Sequence, residues 1–270
     1  MSVRSVDLVC IDVDGTLVGA SGEVTPDVWA ATKRARAHGL HLAICSGRPA
    51  FGTTRGWAEC LDPDGWHIFQ NGASVVHLPA GESRSRPMDD GIVRRLVARA
   101  RETARVLELY ADVEYAVERD DDRARRHAAL LGIPFEPRPF ESLGGPVVRA
   151  QWLVPRGDAS AVLAEPHEGL TVSPSLSPLM PETLFVNLTP SGVDKGSAVR
   201  TVAAAYGVPL ERVMFVGDGA NDAAAMRIVG HPVAMANAEP EVLALARHAV
   251  PHVDEEGLVD ALALATAMAP

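Results

Sequence analysis

Four aspartates lie at two places where an apolar stretch of the chain ends abruptly on acidic, glycine and small polar residues. Asp12 and Asp14 end the stretch V-C-I-D-V-D-G-T-L, and Asp218 and Asp222 belong to V-G-D-G-A-N-D much later in the sequence. Open α/β sheets carry their chemistry at the carboxyl ends of their strands. Carboxylates gathered there would repel one another unless a cation lay among them, and their oxygens suit a hard divalent ion. The pattern therefore predicts a metal site of Asp12, Asp14, Asp218 and Asp222, and it favours Mg²⁺.

Four ordered motifs resemble those of haloacid dehalogenase-type phosphohydrolases. They are D-V-D-G-T-L from Asp12, C-S-G-R-P around Ser46, G-V-D-K-G around Lys195 and G-D-G-A-N-D containing Asp218. Three further stretches are similar to the Cof-type branch, namely Q-N-G-A at 70–73, P-V-A-M-A-N-A at 232–238 and D-E-E-G-L-V at 254–259. The resemblance implies a phosphohydrolase with a large α+β cap inserted between the second and third motifs.

The paired acids of the first motif suit phosphoryl transfer, which needs a nucleophile in line and a proton for the leaving oxygen. Asp12 stands at the tip of the first predicted strand, where it is placed to attack phosphorus and form an aspartyl-phosphate. Asp14 follows across a turn opened by Gly15 and is placed to protonate the leaving oxygen and then to activate water. Asp12 and Asp14 are the predicted catalytic residues.

Five other residues are predicted to bind the phosphate group: Thr16, Ser46, Gly47, Lys195 and Asn221. Ser46 follows the second apolar stretch and offers its hydroxyl and its backbone N–H to phosphoryl oxygens. Lys195 begins a predicted helix, so that a compact cation and a helix N-terminus both face the anion. Without Lys195 or the Mg²⁺ ion, the neighbouring aspartates would repel a phosphate dianion.

The elements that carry these residues alternate between strand and helix at both ends of the chain. Apolar stretches predict strands at 6–13, 40–45, 66–69, 213–216 and 232–236. Helices are predicted at 26–37, 51–61, 195–206, 221–229, 239–246 and 257–267, the first of them capped by Thr25. This alternation is typical of an α/β fold with a Rossmann-like doubly wound parallel sheet.

Between these segments the pattern changes to helices mixed with short alternating strands, as in α+β domains with an antiparallel sheet. We therefore expect residues 1–81 and 189–270 to form one core, and residues 82–188 to form an inserted cap domain. The cap is expected to act as a lid that selects the leaving group. Its candidate contact residues are Arg84, Arg86, His127, Arg149, Trp152 and Glu182.

The composition narrows the possible partners. A net charge of −10 argues against nucleic acid and anionic membranes, which call for basic surfaces. No apolar stretch approaches the roughly 20 residues that span a bilayer, and a cytoplasmic protein, monomeric or homodimeric, is expected. The three cysteines, Cys10, Cys45 and Cys60, lack zinc-ligand spacing and are expected to be buried thiols.

The leading hypothesis is a Mg²⁺-dependent phosphatase acting on a small phosphorylated metabolite, with sugar phosphates favoured. A sugar phosphomutase is the alternative among enzymes, because mutases of similar architecture keep the same acids. Free phosphate as product would identify the hydrolase, and an isomeric sugar phosphate would identify the mutase. A catalytically silent binding or regulatory protein is a third possibility, but such a protein would be expected to lose an acid or the lysine, and neither is missing.

Overall fold

The computed structural model describes residues 5–177 and 179–269. Residues 1–4, 178 and 270, which belong to the predicted ranges 1–81, 82–188 and 189–270, lie outside the described residues. Two compact units are observed. One contains the described parts of 1–47, 56–84 and 194–270, and the other contains 48–55 with the described part of 85–193. The segment 48–55, which follows Ser46 and Gly47, therefore groups with the second unit, which the sequence did not indicate.

The elements follow one another in three runs. The first run is β1 (Leu8–Ile11), α1 (Pro26–Ala37), β2 (His41–Ile44), α2 (Thr53–Leu61), β3 (Trp66–Phe69), β4 (Ser74–His77) and β5 (Glu82–Ser83). The middle run is α3 (Asp90–Thr103), β6 (Val106–Tyr110), β7 (Tyr115–Val117), α4 (Asp122–Leu131), β8 (Arg149–Pro155), α5 (Ala159–Leu163), β9 (Leu170–Leu176) and β10 (Thr183–Pro190). The last run is α6 (Lys195–Tyr206), β11 (Val213–Gly217), α7 (Ala223–Met226), β12 (His231–Met235), α8 (Pro240–Leu245), β13 (His248–Val250) and α9 (Gly257–Ala267).

The first unit is built on a parallel sheet of strand order β13-β12-β11-β1-β2. Cys10 of β1 lies between Phe215 of β11 and Ala43 of β2. Every residue of β1 is buried, which requires cover on both faces of the sheet and explains why β1 is uniformly apolar. Strand β1 lies inside the sheet between β11 and β2, and Asp12 directly follows its last residue, beside the end of β11 that leads to Asp218. The predicted doubly wound α/β core is thus observed.

Strand β3 is an exception to this arrangement. Its residues were predicted as a strand alongside the other core strands, but they form their ladder with β4 in an antiparallel sheet of order β3-β4-β5. An isolated parallel bridge between Cys45 and Ile68 joins β3 to the end of β2. The short strands β4, β5 and β13 were not predicted, because pairing with a neighbour rather than local pattern defines strands of this length.

Local signals place the helix boundaries well at most positions. Pro26 begins α1, and the Thr25 hydroxyl accepts a hydrogen bond from the Val28 N–H at 3.3 Å. The helix predicted at 221–229 is present but shorter: a 3₁₀ turn at Ala220–Asp222 precedes α7, which ends at Met226, so both predicted bounds are wrong. Beyond the helix, a Cβ on Gly230 would meet the Glu211 carbonyl oxygen at 2.0 Å, so the two backbones pack directly there.

The second unit has the α+β architecture predicted for the cap. Its antiparallel sheet has the order β7-β6-β8-β10-β9. On one face Trp152 packs in an apolar cluster with Leu96 of α3. The opposite face has a smaller cluster that includes Phe185 and Ala124 of α4.

Among the described residues, no helix is both long enough and apolar enough to cross a bilayer. Cys10 and Cys45 are buried as predicted. Cys60 is exposed, because it lies on the outer side of α2, and that part of the cysteine prediction is wrong.

Candidate active site

The site is organised around Lys195, the first residue of α6. Its side chain is fully buried, and its Nζ donates hydrogen bonds to Asp12 Oδ1 at 2.5 Å and to Asp222 Oδ1 at 2.6 Å. A buried ammonium group is tolerated only when charged partners compensate for its lost hydration. Lys195 therefore joins the end of β1 to the loop after β11.

The N-terminus of α6 is held in place by its cap and by two close approaches. Asp194 and Ser197 form a capping box, in which Asp194 Oδ1 accepts from the Ser197 N–H at 2.7 Å. A Cβ on Gly196 would lie 2.7 Å from the Ala224 carbonyl oxygen, and one on Gly72 would lie 2.2 Å from the Asp194 carbonyl oxygen. Because Gly196 and Gly72 have no side chain, α6 packs closely against α7 and the Q-N-G turn. This packing places the Lys195 side chain beside the acidic residues.

Asp12, Asp218 and Asp222 form the acidic cluster. One carboxylate oxygen from each of them lies within 4.8 Å of the others. Three hard oxygen donors at this spacing fit a small divalent cation such as Mg²⁺, which accepts carboxylates readily. Three of the four aspartates predicted as metal ligands are thus brought together by their side chains.

Burial and mutual repulsion shift the pKa values within the acidic cluster. Burial, followed by the charge of Asp222, raises the pKa of Asp12 well above its usual range. The same two causes raise the pKa of Asp218 to about 6. Burial alone would lower the pKa of Lys195, but the carboxylates of Asp12 and Asp222 outweigh it and raise that pKa. The cluster carries more negative charge than Lys195 alone neutralises, which favours a bound cation.

Asp222 differs from the other two acids in how its oxygens are used. Its Oδ2 accepts hydrogen bonds from the backbone N–H groups of Asp218 and Gly219, both at 3.0 Å, while Oδ1 accepts from Lys195. The side chain therefore closes the loop that carries Asp218 and aligns the lysine. These contacts leave Asp222 less of its coordination capacity for a metal than Asp12 or Asp218 has.

The turn after Asp12 packs directly against Asp218. Gly15 has a φ of 86°, and a Cβ there would lie 2.1 Å from Asp218 Oδ2, so only glycine fits. The hydroxyl of the buried Thr16 donates to Asp218 Oδ1 at 3.4 Å. Asp14 is exposed, and its backbone pairs with Val18 in an isolated bridge. The loop thus turns Asp14 towards solvent while Thr16 faces the acidic cluster.

The predicted phosphate-binding residues of the second motif lie beside the Q-N-G turn. Ser46 is buried, and its backbone N–H donates to the Ile68 carbonyl at 2.9 Å. The prediction that this N–H faces phosphoryl oxygens is therefore wrong, because it continues the pairing between β2 and β3. The Asn71 N–H donates in turn to the Ser46 carbonyl at 2.9 Å, and Asn221 Nδ2 donates to Asn71 Oδ1 at 3.0 Å.

Asn71 and Asn237 contact the site but are absent from the predicted set. Asn237 Nδ2 donates to the Gly15 carbonyl at 2.8 Å and to Asp218 Oδ2 at 3.1 Å. Both asparagines lie in stretches singled out for their resemblance to the Cof-type branch, Q-N-G-A and P-V-A-M-A-N-A. That resemblance was the signal that could have identified them, since amides in loops beside acidic motifs are natural hydrogen-bond partners.

The candidate contact residues of the cap have different surroundings. His127 and Arg149 lie on the same sheet face, where His127 Nδ1 contacts Glu108 at 2.9 Å and the Arg149 guanidinium lies 4.0 Å from the Tyr110 ring centroid. Trp152 is buried on the other face. Glu182 pairs with Arg126 at the surface, and Arg86 is exposed. Arg84 belongs to the first unit, where its guanidinium stacks on the Trp66 ring.

Comparisons with known proteins agree with this architecture. A family model of haloacid dehalogenase-like hydrolases matches residues 9–142 and 172–262. The 5-amino-6-(5-phospho-D-ribitylamino)uracil phosphatase YwtE of Bacillus subtilis is 23% identical, covering 93% of this chain and 94% of its own. A haloacid dehalogenase-like hydrolase from Bacteroides thetaiotaomicron superposes with a TM-score of 0.84 at 24% identity, covering 96% of this chain and 99% of its own. The sugar phosphatase BT4131 of HAD subclass IIB superposes with a TM-score of 0.78 at 21% identity, covering 96% of this chain and 98% of its own. The likeness to these solved structures shows the fold.

Proposed function

The chain belongs to the haloacid dehalogenase-like hydrolase family, in its Cof-type branch, and from this we propose that it is a Mg²⁺-dependent phosphatase of small phosphomonoesters. The observation that carries the proposal is the buried Lys195, held between Asp12 and Asp222 beside Asp218. Lys195 neutralises only one of these three carboxylates, and an uncompensated buried charge costs stability. A site that binds both a cation and a phosphate dianion accounts for that excess.

Asp12 is the proposed nucleophile. Its carboxylate lies just after strand β1, and Lys195 at 2.5 Å orients one oxygen, leaving the other to attack phosphorus. Attack forms an aspartyl-phosphate and releases the alcohol. Water then hydrolyses this intermediate to inorganic phosphate and restores the carboxylate.

Asp14 is the proposed general acid and base. It is exposed at the turn, so its side chain is accessible to a leaving group and to water, unlike that of the buried Asp12. It donates a proton to the leaving oxygen in the first step and accepts one from the attacking water in the second. Thr16, Ser46, Gly47 and Asn221 are proposed, with Lys195, to contact the phosphoryl oxygens.

The acidic cluster is the proposed Mg²⁺ site. Asp12 and Asp218 would hold the ion through their side chains and Asp14 through its backbone carbonyl, and Asp222 would support them. When bound, Mg²⁺ neutralises charge on the phosphoryl oxygens and fixes the phosphate in line with Asp12. Lys195 supplies the second positive charge from the opposite element, α6.

The proposed substrate is a small phosphorylated metabolite, with sugar phosphates favoured. The relatives described above support this class, since one is named for a phosphorylated ribityl compound and another as a sugar phosphatase. Their names also support hydrolysis rather than phosphomutase activity. A cytoplasmic location and a monomeric or homodimeric state stay predictions.

Release of inorganic phosphate from a panel of phosphorylated metabolites tests the proposal. Mg²⁺ should support turnover, EDTA should abolish it, and excess Mg²⁺ should restore it. Ca²⁺ should substitute poorly, because its larger and looser coordination shell spoils the in-line arrangement. Full activity in chelator would contradict the metal assignment, and an isomeric sugar phosphate as sole product would replace the phosphatase by a mutase.

A further inference from the structure

Asn237 links three distant segments at the acidic cluster. Its Nδ2 donates to the Gly15 carbonyl at 2.8 Å and to Asp218 Oδ2 at 3.1 Å, and its Oδ1 accepts from the Val253 N–H at 3.0 Å. The side chain is half-buried in the turn after β12. Both of its hydrogen-bonding ends are used, so its orientation is well defined.

These contacts restrict the carboxylate of Asp218. With Thr16 at Oδ1 and Asn237 at Oδ2, each carboxylate oxygen has one hydrogen-bond donor. Gly15 packs against the same carboxylate, and Asn237 holds the Gly15 carbonyl as well. Rotation of the carboxylate or displacement of the turn would break at least one bond to Asn237. Such outer partners hold a metal-binding carboxylate in its productive orientation.

We propose that Asn237 is a positioning residue that holds the Asp218 carboxylate and the Gly15 turn in the arrangement in which the acidic cluster binds a divalent cation. The inference rests on the proposed function, because it concerns the cation site of that function. It assigns a role to the stretch P-V-A-M-A-N-A, which the catalytic scheme leaves without one. In this role Asn237 acts through Asp218 and the Gly15 carbonyl.

A merely structural role is the competing interpretation. Asn237 would then serve only to anchor Val253, and its contacts to Gly15 and Asp218 would carry no consequence. Asn237→Asp separates the two interpretations, since an aspartate keeps the acceptor for the Val253 N–H but has no hydrogen to donate. It also brings a carboxylate against the Gly15 carbonyl and Asp218 Oδ2.

The first test measures Mn²⁺ binding to the full chain by electron paramagnetic resonance, without substrate. Asn237→Ala should raise the Kd for Mn²⁺ about tenfold. Glu239→Ala is the matched control, because Glu239 Oε1 accepts from the Ala220 N–H at 3.2 Å on the same loop without touching the Asp218 carboxylate. The control should stay within twofold of wild type. An unchanged Kd in Asn237→Ala, or an equal loss in the control, would overturn the inference.

The second test measures kcat of Asn237→Asp at saturating Mg²⁺, together with the melting temperature of the metal-free protein. We expect kcat to fall about tenfold while the melting temperature stays close to that of wild type. A wild-type kcat would favour the interpretation that Asn237 only anchors Val253, and it would overturn the inference. If Asn237→Ala does not fold, Asn237→Asp alone tests the inference. A wild-type protein that neither binds Mn²⁺ nor releases phosphate would instead overturn the proposed function, and the inference with it.

Discussion

Lys195 and Asp12 lie 183 positions apart in the chain, yet their charged atoms are 2.5 Å apart in the interior of the first unit. The contact joins the N-terminus of α6 to the end of β1. It also leaves neither group exposed to bulk water. Stability and function are therefore coupled at this pair, because each partner is buried at the expense of its hydration and depends on the other.

Lys195→Met should be strongly destabilising as well as inactive. The substitution fills similar space but leaves Asp12 and Asp222 buried without their cation, which costs on the order of 3–5 kcal/mol. Urea unfolding at pH 8 measures the loss. At pH 5 the loss should be smaller, because burial raises the pKa of Asp12 and this acid can then take up a proton. Arg200→Met, at an exposed position of the same helix, is the control and should change stability little. Equal stability of the two variants would show that the ion pairs contribute nothing.

Asp12→Asn should reduce turnover by at least roughly a thousandfold, because an amide does not form the covalent intermediate. Circular dichroism should show a folded protein, since one oxygen is replaced by an amide nitrogen of similar size. Asp27→Asn, an exposed position in the first turn of α1, provides the control and should retain wild-type rates. Turnover of the Asp12 variant at about a tenth of the wild-type rate would rule out the nucleophile assignment.

His67 should make the first unit sensitive to acid. The fully buried ring accepts a hydrogen bond at Nδ1 from the Ile44 N–H at 3.1 Å, and its Nε2 lies 2.8 Å from the Asp62 carbonyl. Burial lowers the pKa of His67 to about 4. A proton at Nδ1 would also destroy the acceptor. The unfolded chain binds this proton below about pH 6.5, so stability is fully present above that pH and is lost as the pH falls towards 4.

The His67 contribution should amount to about 3 kcal/mol of unfolding free energy across this pH range. Urea unfolding of wild type and His67→Gln at pH 7 and at pH 4 measures it, and the variant should show a correspondingly smaller loss. His38→Gln, at an exposed position after α1, should behave like wild type. Parallel pH profiles for all three proteins would contradict the assignment.

Asn71 should matter for catalysis through Asn221. Its backbone is left-handed, with a φ of 56°, and its Oδ1 accepts from Asn221 Nδ2 at 3.0 Å. Asn71→Gly keeps this backbone conformation without strain but loses the amide, whereas Asn71→Ala also adds roughly 1 kcal/mol of strain. Both variants should lower kcat/KM up to about tenfold, the worth of one hydrogen bond, while only Asn71→Ala should melt at a lower temperature. A wild-type kcat/KM for Asn71→Gly would show that the Asn71 side chain does not contribute to catalysis.

The sequence by itself determined the features that depend on residues adjacent in the chain. Helix α6 begins at Lys195 as predicted because Asp194 caps it, and α1 begins at Pro26 because Thr25 and the proline favour that start. The acids were predicted to gather because parallel strands end at one edge, and Asp12, Asp218 and Asp222 do so. Apolar stretches and caps are local signals, and they act whatever the rest of the chain does.

Only the tertiary structure decided which groups are satisfied by which partners. Ser46 gives its N–H to Ile68, Asp222 closes the loop of Asp218, and Asn237 reaches both Gly15 and Asp218. Long-range packing likewise decides that strand β3 pairs with β4 and not with the strands of the parallel sheet. A polar group buried in the fold must find a partner, and the partner is the one that long-range packing brings within about 3 Å. No periodicity or motif encodes that distance, because it depends on how separate segments meet.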